Sequence, residues 1–308
     1  MRLFVRLIAI ALLMLLGLVA CSTDIRPPAT RPNKSLLTTH PEQVVVLFPL
    51  LLEDTLALGI TPVGAPKTFS SYLQLSPSQW QKIKDVGGWG PPNLEKILTL
   101  KPDLILDLKS PASQEAYPLL SHIAPTVFIE ITSILNWKQV FYQVANALGR
   151  KEAADRVMAD YQVRLDRFKT HMGTQISSLR VSVLSITKET ILLFNKKSFP
   201  GMILEDAGLS RPPSQTLDDR LHFRRESWER LSDIDADVLF VVPSGFKQEA
   251  DTQKALQQLS SQPLWSKLKV VQQGKVYEVG TYWLANGPMS ALRVLDDLEK
   301  YILNPKRG

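Results

Sequence analysis

The chain has 308 residues, of which 44% are hydrophobic and 21% are charged, a composition typical of a folded protein. The formal net charge is +6, but the basic residues are scattered and no nucleic-acid-binding motif accompanies them, which argues against a nucleic-acid partner. One cysteine is present, which excludes an internal disulfide.

The N-terminal segment indicates export. Arg2 and Arg6 precede an apolar run over residues 7–20 that is too short and too early for a typical spanning helix. The run ends in Leu-Val-Ala-Cys, which resembles the lipobox of bacterial lipoproteins, in which the cysteine is acylated and becomes the first mature residue. We therefore expect a signal peptide over 1–20 and lipidation of Cys21. The alternatives are an uncleaved signal anchor and an ordinary signal peptide. Residues 21–42 are rich in Pro, Ser and Thr and predict a flexible tether.

Strand and helix patterns alternate over residues 43–149, which predicts an α/β lobe with a mainly parallel sheet. The most informative block is a Gly-Pro loop over 87–92 that precedes a short helix, with Asn93 as its N-cap and Pro102 beyond its end. A buried strand over 104–108 follows. Trp89 lies in the loop, where no core pattern demands a large aromatic side chain. The other strands are predicted over 43–48, 60–65 and 125–131, and the other helices over 51–58 and 137–148.

Residues 150–173 are predicted to form a connecting helix, because 151–172 are one charged amphipathic run without Gly or Pro. Such a helix spans about 30 Å and suits a rigid connection between two lobes. Residues 174–308 then predict a second α/β lobe, with strands over 180–186, 191–195, 236–242 and 275–279 and a closing helix over 289–303. The fold class is therefore α/β, with two Rossmann-like lobes joined by one long helix.

The second lobe repeats part of the first. Trp-Glu-Arg-Leu at 228–231 precedes Ala-Asp-Val-Leu-Phe at 236–240 with the spacing at which Leu-Glu-Lys-Ile at 94–97 precedes Pro-Asp-Leu-Ile-Leu at 102–106. Glu95 and Glu229 fall at the same place in this repeat, 134 residues apart. The agreement of charge and apolarity predicts two related lobes.

Three segments, 53–64, 92–106 and 263–298, carry a resemblance to the bacterial ABC-importer substrate-binding proteins that transport iron–siderophores, cobalamin or haem. The resemblance implies a ligand cleft between the lobes and no enzymatic activity. It also implies a monomer outside the cytoplasm that delivers its ligand to the transmembrane subunits of a permease. In this family, one glutamate per lobe at these motif positions meets arginines of those subunits, which implies a docking role for Glu95 and Glu229.

Ligands of open α/β sheets bind beyond the carboxyl ends of the strands. That rule and the resemblance predict aromatic contacts from Phe69, Tyr72, Trp89 and Trp283, and charge contacts from Arg220, Arg224 and Arg225. Guanidinium groups suit an anionic ferric chelate, in which the chelator already fills the coordination shell of the iron. We therefore predict no intrinsic cofactor and no protein ligand to a metal.

Other functions remain open at this stage. Related siderophore binders often place an arginine where this chain has Gly88 and Trp89, so cobalamin and haem stay alternatives. No Gly-x-Ser-x-Gly elbow, phosphate-binding loop or dinucleotide motif is present, which argues against an α/β enzyme. A cell-envelope interaction protein that keeps the fold without a ligand is the remaining alternative.

Overall fold

The structure, a computed structural model, describes residues 40–67, 73, 75–87, 91–131, 136–186, 190–216, 223–243 and 249–304. The described strands form two five-stranded sheets, one in each lobe. Among the described residues, no helix has both the length and the apolarity needed to cross a membrane.

The first lobe is built on a parallel sheet with strand order β3-β2-β1-β4-β5. Helices flank the sheet, which explains why its central strands are apolar on both faces. The strands are β1 (Val44–Val46), β2 (Gly64–Ala65), β3 (Lys84–Asp85), β4 (Leu104–Leu108) and β5 (Thr126–Ile129). The helices are α1 (Pro49–Ala57), α2 (Pro77–Lys82), α3 (Leu94–Thr99), α4 (Pro111–Ile123) and α5 (Trp137–Ala147).

The ends of the helices follow the local sequence. Asn93 caps α3, since its Oδ1 accepts a hydrogen bond from the backbone N–H of Lys96 at 2.9 Å. Gly59 and Gly149 follow α1 and α5 with φ of 81° and 64°, a left-handed conformation that favours glycine at the end of a helix. These caps confirm the predicted boundaries of α3, α1 and α5 to within two residues.

The long connecting helix is α6, and it spans Lys151–Met172 as predicted. Its buried side chains belong to two different cores. Ala154 packs in the core of the first lobe, whereas Leu165, Phe168 and Met172 pack in the core of the second. Because one continuous helix contributes to both cores, it fixes the lobes to each other.

The second lobe has a mixed sheet with strand order β10-β9-β6-β7-β8, in which β7 runs antiparallel to both of its neighbours. The strands are β6 (Val181–Ile186), β7 (Thr190–Phe194), β8 (Phe223–Ser227), β9 (Val238–Val242) and β10 (Val276–Glu278). The helices are α7 (Phe199–Asp206), α8 (Glu249–Ser260), α9 (Lys269–Gln272) and α10 (Pro288–Leu298). A 3₁₀ helix, Trp228–Ile234, occupies the position that α3 has in the first lobe.

Both lobes contribute to the joint between them. Trp137, the first residue of α5, is buried in the core of the second lobe, with ring centroids 5.3 Å from Tyr161 and 6.1 Å from Phe199. The neighbouring Lys138 forms an ion pair of 2.7 Å with Asp206 at the end of α7. The closing helix α10 packs against α6 of the connection and α1 of the first lobe. These contacts confirm the fold of two α/β lobes joined by a long helix.

Candidate functional site

The carboxyl edge of the first sheet is polar and accessible. Lys109 follows β4 and Glu130 follows β5, and these two partly exposed side chains form an ion pair of 2.5 Å. Carboxyl ends of parallel strands lie at one edge, and ligands of such sheets bind there. This edge therefore offers both a cation and an anion to a polar ligand.

One acid near the same edge is partly buried. Asp107, the penultimate residue of β4, accepts a hydrogen bond from the backbone N–H of Leu108 at 2.8 Å. Burial raises the pKa of Asp107 to about 6, more than the hydrogen bond lowers it. The charge at this edge of the first lobe therefore changes between pH 5 and pH 7.

Five of the predicted functional residues lie outside the described residues: Cys21, Phe69, Tyr72, Trp89 and Arg220. Their predicted roles stay predictions.

The two arginines of the predicted cluster that the structure describes do not point to the same face of the sheet. Arg224 and Arg225 are consecutive residues of β8, so their side chains lie on opposite faces of the strand. Arg224 forms ion pairs with Glu226 and Asp233, which already neutralise its charge. Arg225 is exposed and stands opposite Leu192 of β7. The prediction that both arginines make charge contacts with a ligand is therefore corrected for Arg224, whose charge is paired within the protein, whereas for Arg225 it stays a prediction.

Trp283 is a core residue, and the expectation that it contacts a ligand is wrong for this structure. Its side chain is fully buried, and its ring centroid lies 4.7 Å from that of Phe240 in β9. The indole Nε1–H donates to Oδ2 of Asp297 at 2.8 Å, and the hydroxyl of Tyr282 donates to the same oxygen at 2.5 Å. The indole is enclosed and its polar group is satisfied, so it presents no surface to a ligand.

Glu95 and Glu229 are both exposed at equivalent places. Glu95 lies in the first turn of α3, and Glu229 lies in the first turn of the 3₁₀ helix Trp228–Ile234. A carboxylate in the first turn of a helix is favoured by the positive end of the helix dipole. Both side chains are therefore available to a partner, as a docking role requires.

Sequence reasoning missed the polar residues inside the joint. Glu53 and Asp54 of α1 are completely buried, although charged residues in a helix ordinarily face solvent. Glu53 contacts Ser290, which is 237 positions away in the chain, so no local sequence pattern predicts the contact. The adjacent Glu-Asp pair in the helical pattern was the available signal.

Comparisons with known proteins agree with this architecture. A family model described as "Periplasmic binding protein" matches residues 44–282. The chain belongs to the periplasmic binding protein family. It is 32% identical to the probable siderophore-binding lipoprotein YfiY of Bacillus subtilis, with 99% of this chain and 100% of that protein covered. It is 28% identical to the achromobactin-binding periplasmic protein of Dickeya dadantii, with 88% and 89% covered.

Solved structures of other proteins share the fold. Staphylococcus aureus SirA complexed with staphyloferrin B superposes with a TM-score of 0.72 at 27% identity, covering 85% of this chain and 93% of that one. Bacillus subtilis FeuA complexed with ferri-bacillibactin superposes with a TM-score of 0.69 at 25% identity, covering 88% and 95%. The family and these relatives are binding proteins rather than enzymes.

Proposed function

We propose that this protein is the substrate-binding component of an ABC importer that captures a ferric siderophore outside the cytoplasm and delivers it to the permease. The observation that carries the proposal is the similarity over nearly the whole chain to a siderophore-binding lipoprotein, on a fold that siderophore-binding proteins share. The iron is cargo within its chelate, so the protein needs no intrinsic cofactor.

An anionic chelate is the ligand class that the charges favour. Arg225 is exposed on the second lobe. Similar proteins are described as binding achromobactin and Fe(3+)-citrate. Arg220 and the aromatic residues Phe69, Tyr72 and Trp89 stay proposed ligand contacts.

Two further roles belong to this function. Cys21 is the proposed lipid anchor, which agrees with the lipoprotein description of the relative YfiY. Glu95 and Glu229 are the proposed permease contacts, because they are exposed and equivalent in the two lobes. The protein is expected to act as a monomer, with one lobe facing each transmembrane subunit.

A titration against a ligand panel tests the function. The mature protein is titrated with ferric citrate, a ferric catecholate, a ferric hydroxamate, haem and cobalamin while tryptophan fluorescence is followed. Ferric chelates should quench the fluorescence with submicromolar Kd, and their iron-free chelators should bind more weakly. Binding of haem or cobalamin alone would assign the protein to another branch of the family, and binding of nothing in the panel would contradict a siderophore receptor.

A further inference from the structure

A carboxylate of the first lobe caps a helix of the second lobe inside the protein. Glu53 of α1 accepts a hydrogen bond at Oε1 from the backbone N–H of Ser290 at 2.6 Å, and at Oε2 from the Ser290 hydroxyl at 3.1 Å. Ser290 lies in the first turn of α10. The approach needs Gly287, because a Cβ there would lie 2.5 Å from Cδ of Glu53. The two lobes are thus joined by a buried polar contact.

The next residue of α1 is a second buried carboxyl. Asp54 is fully buried, and neither of its oxygens has a hydrogen-bond partner among the residues that the structure describes. An ionised carboxylate in this position would be unfavourable, because no donor among the described residues replaces its hydration. The adjacent Glu53 adds repulsion to any negative charge there. Burial and the neighbouring Glu53 therefore raise the pKa of Asp54 well above its usual value.

Few charged groups among the described residues offset the burial of this pair. From α10, Arg293 faces Glu53 and favours its ionised form, while Nη1 of Arg293 donates to the backbone oxygen of Leu73 at 3.3 Å. Phe141 and Val144 of α5 and two valines of β1 belong to the same apolar core as the buried leucines of α1. The effect of burial on the pKa of Glu53 is larger than the opposing effects of the Ser290 hydrogen bonds and the Arg293 charge. The pKa of Glu53 is therefore raised to about 7.

We propose that Glu53 and Asp54 form a proton-binding joint between the lobes, which holds at least one proton while α1 and α10 are docked and releases it when these helices separate. The joint lies close to the ligand-facing side, because α1 begins directly after β1 at the carboxyl edge of the first sheet. The proposal concerns the contact between the lobes and does not depend on which ligand the protein binds.

The direction of the pH effect follows from proton linkage. When the helices are apart, both carboxyls are hydrated and ionised above about pH 4.5. The docked state then binds more protons than the separated state, so docking is most favourable at low pH and weakens as the pH rises towards 7. Each proton that is bound only in the docked state changes the docking equilibrium about tenfold per pH unit.

Hydrogen exchange at the start of α10 reports on this joint directly. The mature, ligand-free protein is studied from pH 5 to pH 8, and the protection of amides over 289–293 is corrected for the intrinsic pH dependence of exchange. Protection should fall at least about tenfold per pH unit between pH 5 and pH 7. At least one of the single variants Glu53→Gln and Asp54→Asn should show a shallower decline. The difference should be about tenfold per pH unit, which is the contribution of one bound proton. Glu115→Gln, which alters an exposed glutamate of α4, is the matched control and should keep the wild-type decline.

Two results would overturn the joint. One is protection over 289–293 that does not depend on pH in the wild type. The other is a wild-type decline that persists in both Glu53→Gln and Asp54→Asn. Ser290→Ala provides a further check, because it removes one hydrogen bond but keeps both carboxyls. Its protection should be lower at every pH with an unchanged decline, and a flat profile would show that the two carboxyls do not by themselves produce the pH dependence, which would contradict the proposal.

Discussion

Asp103 and Asp237 make the same contact in the two lobes, 134 residues apart. Asp103 accepts hydrogen bonds from the backbone N–H groups of Glu42 and Gln43, at 2.8 and 3.1 Å, immediately before β1. Asp237 accepts one from the backbone N–H of Arg180, at 2.9 Å, immediately before β6. In each lobe the aspartate precedes a strand that pairs in parallel with the strand it caps. The repeat seen in the sequence therefore marks equivalent structural positions.

These aspartates are expected to stabilise the lobes by aligning the first strand pair. Asp103→Ala and Asp237→Ala should each lower the free energy of unfolding by about 1 to 2 kcal/mol, because each leaves strand-end N–H groups without their charged acceptor. Urea denaturation measures the loss. Glu115→Ala, at an exposed position, should change stability by less than about 0.5 kcal/mol. Equal stability of all three variants would show that the capping contacts do not contribute.

Trp283 is expected to act through stability rather than through the ligand. Trp283→Leu should cost about 3 kcal/mol, because it removes packing against Phe240 and leaves Asp297 without the indole donor. The folded fraction should keep the wild-type affinity for a ferric chelate. Urea unfolding followed by circular dichroism measures the stability. A ligand titration at a urea concentration below the unfolding transition measures the affinity. A lower affinity with unchanged stability would contradict this prediction and indicate that Trp283 contacts the ligand.

Arg224 and Arg225 are expected to differ, although they are neighbours in sequence. Arg225→Gln should weaken binding of an anionic ferric chelate about tenfold or more and leave a neutral chelate nearly unaffected, as loss of a charge contact predicts. Arg224→Gln should have a small effect on both ligands, because its charge is already paired with Glu226 and Asp233. Isothermal titration with the two chelates measures the split. The reverse order of effects would place Arg224 at the ligand.

The long helix and the first-lobe strands were predictable because their signals are local. Residues 151–172 combine an amphipathic period with the absence of Gly and Pro, and Gly149 and Gly173 bracket them. Asn93 and Pro102 likewise bracket α3. The fold class follows from these alternating elements and from the repeat.

The rest depended on contacts between distant parts of the chain. The strand β8 was missed because an edge strand with three consecutive charged residues resembles a polar loop. Trp283 adjoins Tyr282 in a short 3₁₀ helix, and its burial is decided by Phe240, more than 40 positions earlier. Glu53 is buried only because Gly287 and Ser290 of the other lobe meet it. No sequence period encodes such pairings.

Cys21 is expected to hold the protein on the membrane. Cys21→Ser removes the thiol that acylation requires, and no other cysteine is present to replace it. In a native host, the variant should leave the membrane fraction or accumulate as the uncleaved precursor. Fractionation with mass spectrometry of the N-terminus distinguishes these forms from the wild type. A correctly cleaved variant that stays with the membrane would contradict lipidation at this residue.

Glu95 and Glu229 are expected to meet the permease, since each is exposed in the first turn of a helix at equivalent positions of the two lobes. The alternative role, stabilisation of the helix start, predicts that changing either residue to Ala costs only about 0.3 to 1 kcal/mol and leaves transport intact. A docking role predicts a different pattern. Loss of the carboxylates should impair delivery while the ligand site and the fold are preserved.

The double charge reversal Glu95→Arg with Glu229→Arg separates these roles. Uptake of radiolabelled ferric chelate by cells should fall at least about tenfold, because two attractive contacts with a cationic partner become repulsive. Ligand affinity and melting temperature of the purified variant should stay close to wild type. The matched control reverses one exposed glutamate in each lobe at other places, Glu115→Arg with Glu205→Arg, and should transport normally. Normal uptake by the first variant would remove both residues from the permease contact, and equal loss in both variants would attribute the defect to net charge.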